Sequence, residues 1–213
     1  MEEAFYQLGL KDSDRAKMAS DHIRSLISTP WDGVNVVANK TVENLFDRLL
    51  YKDKSFELLL KAYSSSSQLG HKEFFHALLV PEICAFLSRW LPKISPLQFG
   101  CSSLYCLDDK QRPVHTRILD FPLKGTYDEN ERIIKSCFKD CLKVFNFSSV
   151  GLPFSGLTSM NEKGLTLAIH QKFTQTFNQH GTPIFFLAHQ LIHQCSDVDE
   201  AIEFLKQSQT ITC

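Results

Sequence analysis

The run Gly100-Cys101-Ser102-Ser103-Leu104-Tyr105-Cys106-Leu107, followed after Asp108-Asp109-Lys110 by Val114-His115-Thr116-Arg117-Ile118-Leu119-Asp120, decides the fold. Two β-prone stretches, 103–107 and 114–118, flank a polar turn, which is a hairpin pattern. Pro113 has no N–H to donate and puts the start of the second strand at an edge. In a hairpin, a residue at the start of one strand lies near the end of its partner, so Cys101 comes within reach of Arg117 and Asp120. A guanidinium beside a thiol favours the thiolate, which is the nucleophilic form. A carboxylate there can hold a terminal amine by accepting its hydrogen bonds. An ordinary hairpin with a buried cysteine and a surface ion pair would read the same way, and spacing alone does not separate the two.

On the N-terminal side the texture is helical. Ser13 can cap a helix whose apolar positions Ala16, Ala19, Ile23 and Ile27 share a face, and Thr41 can cap a second carrying Val42, Leu45, Phe46, Leu49 and Leu50. Residues 56–63 form a third, ended by the serine run 64–67 and Gly70. A fourth begins near Lys72, and Pro81 kinks or splits it. Pro92 and Pro96 close this part. On the C-terminal side, residues 142–147 and 165–169 read as strands, the latter after the tight turn Asn161-Glu162-Lys163-Gly164. Thr182 with Pro183 starts a helix to about Gln194. Ser196, with Asp199 three residues on, starts another whose Val198, Ile202 and Leu205 face inward. A helical region of residues 1–100 thus precedes a β-then-α region of residues 101–213.

The bulk numbers set the frame. With 213 residues, 43% apolar and 22% charged, the chain can bury a substantial core. A net charge of -1 gives no electrostatic reason to expect a nucleic-acid partner. The apolar stretch 74–91 is interrupted by Glu82 and Arg89 and carries Pro81, so no membrane span is expected. The N-terminus has acidic residues where a signal peptide needs positive charge. Together with seven irregularly spaced cysteines, that predicts free thiols and a cytoplasmic location.

The pattern Cys101-Ser102-Ser103-Leu104, with Arg117-Ile118-Leu119-Asp120 beginning sixteen positions later, resembles the cysteine N-terminal-nucleophile (Ntn) hydrolases. That superfamily includes choloylglycine hydrolases, penicillin V acylase, acid ceramidase and the isopenicillin N acyltransferase-like enzymes. Ser159-Met160-Asn161-Glu162-Lys163-Gly164-Leu165 looks like the superfamily's G-M-N-E-K-G-L turn, and the closing helices look like those that follow it. The resemblance implies an αββα sandwich preceded by a helical pro-region or N-terminal subunit. It places the nucleophile at Cys101, the arginine at Arg117, the aspartate at Asp120 and autocleavage at Gly100–Cys101. Gln171 stands near the oxyanion-hole asparagine of the bile salt hydrolases and is the candidate oxyanion donor. No cofactor or metal is implied. The family's remaining site residues and strands would come from a second chain or a C-terminal portion.

Other signals are read as structural. His189-Gln190-Leu191-Ile192-His193 imitates a zinc signature, but Gln190 cannot replace its glutamate base, leaving surface or capping histidines. Cys137 and Cys141, one helical turn apart, read as two buried thiols. Cys106, five positions from Cys101, points to the opposite strand face and reads as packing. Ser155 lies in Gly151-Leu152-Pro153-Phe154-Ser155-Gly156, which lacks the serine-nucleophile pattern and reads as a flexible substrate-side loop. His115 shares the strand face of Arg117 and reads as a hydrogen-bonded structural residue. The expected activity is hydrolysis of linear amides of N-acyl compounds through an acyl-enzyme on Cys101. The alternatives are an acyltransferase using the same acyl-enzyme, a non-catalytic protein on the Ntn scaffold, and a proenzyme awaiting a trigger.

Overall fold

The structure, a computed structural model, describes residues 1–16, 53–87, 100–120, 130–170 and 176–212. The helix expected from Thr41, the positions Ala19, Ile23 and Ile27, the prolines at 92 and 96, and Gln171 lie outside those residues. The elements are α1 (Glu2–Asp12), α2 (Lys54–Ser66), α3 (His71–Leu87), β1 (Gly100–Leu107), β2 (Pro113–Asp120), β3 (Glu131–Ser136), β4 (Val144–Ser149), β5 (Thr158–Asn161), β6 (Thr166–Ala168), α4 (Ile184–Gln194) and α5 (Val198–Gln207). The fold is α+β, with a β1-β2 hairpin and a sheet in the order β3-β4-β5-β6, antiparallel throughout.

The hairpin turn closes on Asp108, whose carboxylate accepts from the backbone N–H groups of Lys110 and Arg112 at 2.9 Å each and from Arg112 Nε at 2.7 Å. The register sets Cys101 opposite Leu119, Ser103 opposite Arg117 and Tyr105 opposite His115. Strand side chains alternate, so these six positions share one hairpin face. In the larger sheet, Ile133 pairs with Phe147, Phe147 with Thr158, Phe145 with Met160 and Met160 with Thr166, which puts all six on one face. The opposite face carries Val144, Asn146 and Asn161 and is buried beneath α4 and α5, with Leu165, Leu191, Ile192 and Ala201 filling the contact.

The hairpin lies over the β5–β6 end of the first face. Arg117 reaches Leu157, Thr158 and Ile169, and His115 reaches Thr166. Helices, sheet and hairpin are therefore successive layers. The expected sandwich needs a further helical layer on the hairpin, where Leu104 and Ile118 stand exposed among the described residues.

Helices α1 to α3 share a core with the β-then-α region. Phe5, Phe56, Tyr63 and Phe74 pack with Leu152, Phe154 and Phe186, and the Phe56 and Phe186 ring centroids are 4.7 Å apart. A buried polar knot reinforces the seam. Tyr63 donates its hydroxyl to Asp12 Oδ2 at 2.5 Å, Arg132 on β3 pairs with Asp12 Oδ1, and the Gly151 N–H donates to the Tyr63 oxygen at 3.2 Å. Burial and the adjacent Asp12 carboxylate push the Tyr63 hydroxyl up, so it stays a donor.

Several local expectations change. Ser13 is the C-cap of α1 rather than the start of a helix. Helix α2 runs three residues past Tyr63 and ends within the serine run, with Ser67 as its C-cap, and the hydroxyls of Ser64, Ser65 and Ser66 bond back to carbonyls three or four residues earlier. Helix α3 runs unbroken through Pro81. Thr182 does not cap α4. Pro183 takes that position without a side-chain bond, and the Ile184 N–H donates to Glu82 of α3 at 2.7 Å. Asp197, not Ser196, caps α5, accepting from the Glu200 N–H at 2.9 Å. With that start, Ala201 and Phe204 turn inward while Val198, Ile202 and Leu205 face solvent.

Candidate active site

Cys101 is the second residue of β1, and its half-buried thiol faces the inner side of the hairpin. Arg117 Nη2 donates to Cys101 Sγ at 3.4 Å. The same nitrogen donates to the Ile169 carbonyl at 2.5 Å. Nη1 donates to the Leu157 carbonyl at 2.5 Å and to Thr158 Oγ1 at 2.9 Å. Nε is buried with no acceptor among the described residues. Three acceptors from β5 and the flanks of β5 and β6 therefore aim a permanently charged fork at the sulfur. Two of the three are backbone carbonyls, which no sequence pattern advertises.

Beside this pair runs a polar chain that the sequence reading left out. Thr166 Oγ1 lies 3.1 Å from His115 Nδ1, His115 Nε2 lies 3.3 Å from Ser103 Oγ, and Ser103 Oγ lies 2.6 Å from His170 Nε2. Tyr105 stacks on His115 with centroids 4.1 Å apart. Burial first, then the charge of Arg117 and the proximity of His170, hold His115 below the usual histidine range. His115 is thus a hydrogen-bonded strand residue. The signals available in sequence were the period-two spacing of Cys101, Ser103 and Tyr105 and the histidine immediately after the 165–169 strand.

The backbone of Asp120 pairs with Gly100, one register step from Cys101 opposite Leu119. Its side chain and that of Gly100's neighbour Phe99 lie outside the described residues, as does Gln171. Gly100 and Cys101 are the first two residues of β1.

The Asn161-Glu162-Lys163-Gly164 turn is built by Asn161. Its Oδ1 accepts from the Lys163 and Leu165 N–H groups at 3.0 and 3.2 Å, and its Nδ2 donates to the Ile192 and Cys195 carbonyls at 3.1 and 2.8 Å. Gly164 adopts φ 88°, where a Cβ would be strained. The turn places β6, and hence Ile169, under the hairpin while fastening it to the end of α4.

Four declined signals take different environments from those expected. His189 and His193 are buried, not at the surface. His189 accepts from the Ser155 N–H through Nδ1 at 3.2 Å, and its edge contacts the rings of Phe5 and Phe154. Burial, then His193, holds His189 well below the histidine range. Residues 151–156 are buried core rather than a flexible rim, because Phe154 and Ser155 pack on His189. Cys137 is exposed and Cys141 half-buried, since they follow β3 in a turn instead of a helix. Cys106 does point away from Cys101, but the outer hairpin face is open, so its thiol is exposed.

Residues 128–212 match the model of the family described as acyl-coenzyme A:6-aminopenicillanic acid acyl-transferase, an enzyme family of the Ntn-hydrolase, choloylglycine hydrolase-like superfamily. The matched segment includes the Asn161 turn and both closing helices and begins downstream of Cys101, Arg117 and Asp120. No curated protein matches the chain. Among the described residues, no helix is long and apolar enough to cross a membrane.

Proposed function

We propose that the protein cuts itself between Gly100 and Cys101 and then cleaves linear amides of N-acyl compounds through an acyl thioester on Cys101. The observation that carries this reading is the Arg117 guanidinium, held by three sheet acceptors, 3.4 Å from the Cys101 sulfur. In the first step the thiol attacks the Gly100 carbonyl, the Gly100–Cys101 C–N bond breaks, and water hydrolyses the resulting thioester. That leaves a Gly100 carboxylate and a free α-amine on Cys101. An α-amine of pKa about 7.7–8.0 suits a general base near neutral pH.

In turnover the amine takes the thiol proton and the sulfur attacks the substrate carbonyl. The proton passes to the leaving amine as the C–N bond breaks. Water, deprotonated by the same amine, releases the acid and restores the thiol. Arg117 stabilises negative charge on sulfur and near the reacting carbonyl. The Asp120 carboxylate holds the amine, and the Gln171 amide donates to the oxyanion. The acyl arm is apolar.

If an amine replaces water in the second half, the same thioester makes the protein an acyltransferase. The family match over residues 128–212 supports that second reading equally. Residues 1–100 act as a retained subunit, supported by the aromatic core that they share with Phe154 and Phe186. Further polypeptide, from a second chain or a C-terminal portion, covers the open sheet face. The support is that Ile133 and Phe147 are 63% and 51% exposed side by side.

The test is to mix the protein with an N-acyl p-nitroanilide bearing an apolar acyl group, quench in acid and map the adduct by mass. An acyl mass on the Cys101 peptide, with nitroaniline released, is expected. Added amine diverting the acyl group into a new amide selects the transferase form. Release that Cys101→Ala retains, or no release from an autocleaved preparation, contradicts the proposal.

A further inference from the structure

We propose that His170 is a positioning residue for the nucleophile: its hydrogen bond to Ser103 pins the chain leaving β6 against β1, and that pin keeps the Ile169 carbonyl on Arg117 and Arg117 on Cys101. This rests on the reading of Cys101 as nucleophile and extends it to a residue outside the superfamily motifs.

The placement comes from the hairpin register. Ser103 and Arg117 stand directly opposite each other on β1 and β2. Two consecutive residues of one chain land on these two positions, Ile169 through its carbonyl on Arg117 at 2.5 Å and His170 through Nε2 on Ser103 at 2.6 Å. The Ile169 N–H also donates to the Leu157 carbonyl at 3.3 Å, and that carbonyl accepts from Arg117 Nη1. Leu157, Ile169 and Arg117 therefore close a ring of hydrogen bonds.

The guanidinium depends on that ring. Nε has no acceptor among the described residues, so nothing fixes the fork at its base. Nη1 is held twice, by Leu157 and Thr158. Nη2, which meets the sulfur, has the Ile169 carbonyl as its acceptor besides Sγ. If residue 169 drifts, the fork can rotate about Nη1 and carry Nη2 off the sulfur.

His170 is exposed, with no burial to hold it, and the Ser103 bond is what ties it to the hairpin. From the other side, His115 orients the Ser103 hydroxyl and is itself fixed by Thr166 and the Tyr105 stack. The chain thus runs from Thr166 on β6 through His115 and Ser103 to the exposed His170, as expected for a group that sets a residue in contact with the nucleophile through another.

The experiment measures alkylation of Cys101 and Cys106 by iodoacetamide from pH 5 to 10, by peptide mass, in wild type, His170→Ala, His170→Gln, Ser103→Ala and the Ser103→Ala/His170→Ala pair. Exposed Cys106 serves as the control thiol in the same chain. Loss of His170 or Ser103 is expected to slow Cys101 labelling at pH 7 by about five- to tenfold, the scale of one lost hydrogen bond, and to move its pH profile upward. Cys106 and the melting temperature should hold. His170→Gln, whose amide still bonds a hydroxyl, should restore most of the rate. The pair should be no slower than Ser103→Ala alone, which already removes the His170 bond together with the one from His115. A His170→Ala profile that overlays wild type, or singles that add, overturns the proposal and leaves Cys101 as nucleophile untouched. Wild-type Cys101 labelling no faster than Cys106 overturns both.

Discussion

Arg117 shows how much a single residue can reveal and conceal. Its distance from Cys101 follows from hairpin pairing, and strand alternation puts both on one face. What makes the guanidinium a fixed charge is a set of acceptors contributed by Leu157, Thr158 and Ile169, some forty to fifty residues away. Backbone carbonyls have no side-chain identity, so their convergence becomes visible only in the fold. Lysine carries the same charge without the fork. Arg117→Lys should cut Cys101 alkylation at pH 7 by about tenfold, near 1.4 kcal/mol, and an unchanged rate would detach Arg117 from the thiol. Asn161 is the counterpart on the structural side. The tight turn was legible from Asn161-Glu162-Lys163-Gly164, but the two bonds from its amide to the end of α4 were not. Asn161→Ala strands three buried backbone groups and one part-buried one and should lower urea-unfolding stability by about 3 kcal/mol. A loss below about 1 kcal/mol would mean that water replaces those bonds.

Among the elements, the hairpin and the closing helices were legible, and the errors concentrate where a tertiary partner overrides a local signal. Helix α4 starts against Glu82 from a distant helix, so its own Thr182 has no role there. Strand β3 reads in sequence as Glu131-Arg132-Ile133-Ile134-Lys135-Ser136, too polar to stand out, and its ladder with β4 together with the Asp12–Arg132 pair seats it. In α5 the stripe Val198, Ile202, Leu205 has the right period but faces out, because Ala201 and Phe204 are the positions that pack with Leu191 and Ile192.

The α3–α4 contact carries a pH signature. Burial lifts the Glu82 carboxyl from 4.5 to about 7, against a smaller lowering by the Ile184 N–H. The folded state then holds a proton that the unfolded state loses above 4.5. The Glu82 contribution is therefore complete below pH 4.5 and is lost as pH rises toward 7. His189 and His193 act in reverse, because burial holds both below 6.5 and stability is lost as pH falls beneath that value. Glu82→Gln removes the first slope and keeps an acceptor for Ile184. Its stability relative to wild type, by urea unfolding, should grow between pH 4.5 and 7 by about 3 kcal/mol in all. A difference that stays constant with pH would show that the carboxyl does not titrate in that range.

Over the whole molecule, the helical region and the β-then-α region share one aromatic core and one buried polar knot. The boundary near residue 100 that the sequence marks by texture is thus not a boundary in packing. Texture follows local propensity, whereas the core is assembled by contacts such as Phe56 with Phe186 that link distant segments. After cleavage, the two fragments should co-elute in native size-exclusion chromatography and part only in denaturant. Separation under native conditions would make residues 1–100 a released pro-segment. The larger sheet is open where Ile133, Phe145, Phe147 and Met160 stand exposed side by side. Paired changes Ile133→Lys and Phe147→Lys should alter chain stability by less than about 0.5 kcal/mol each. They should also abolish any concentration-dependent association seen by sedimentation. Association that persists would place the covering polypeptide elsewhere.

The central claim is that Cys101 becomes an N-terminal nucleophile, and intact-mass analysis with N-terminal sequencing of the purified protein tests it most directly. At neutral or mildly acidic pH, with and without reductant, a fragment beginning Cys101-Ser102-Ser103 is predicted in wild type and absent in Cys101→Ala. A wild-type chain that remains whole under all of these conditions would contradict it.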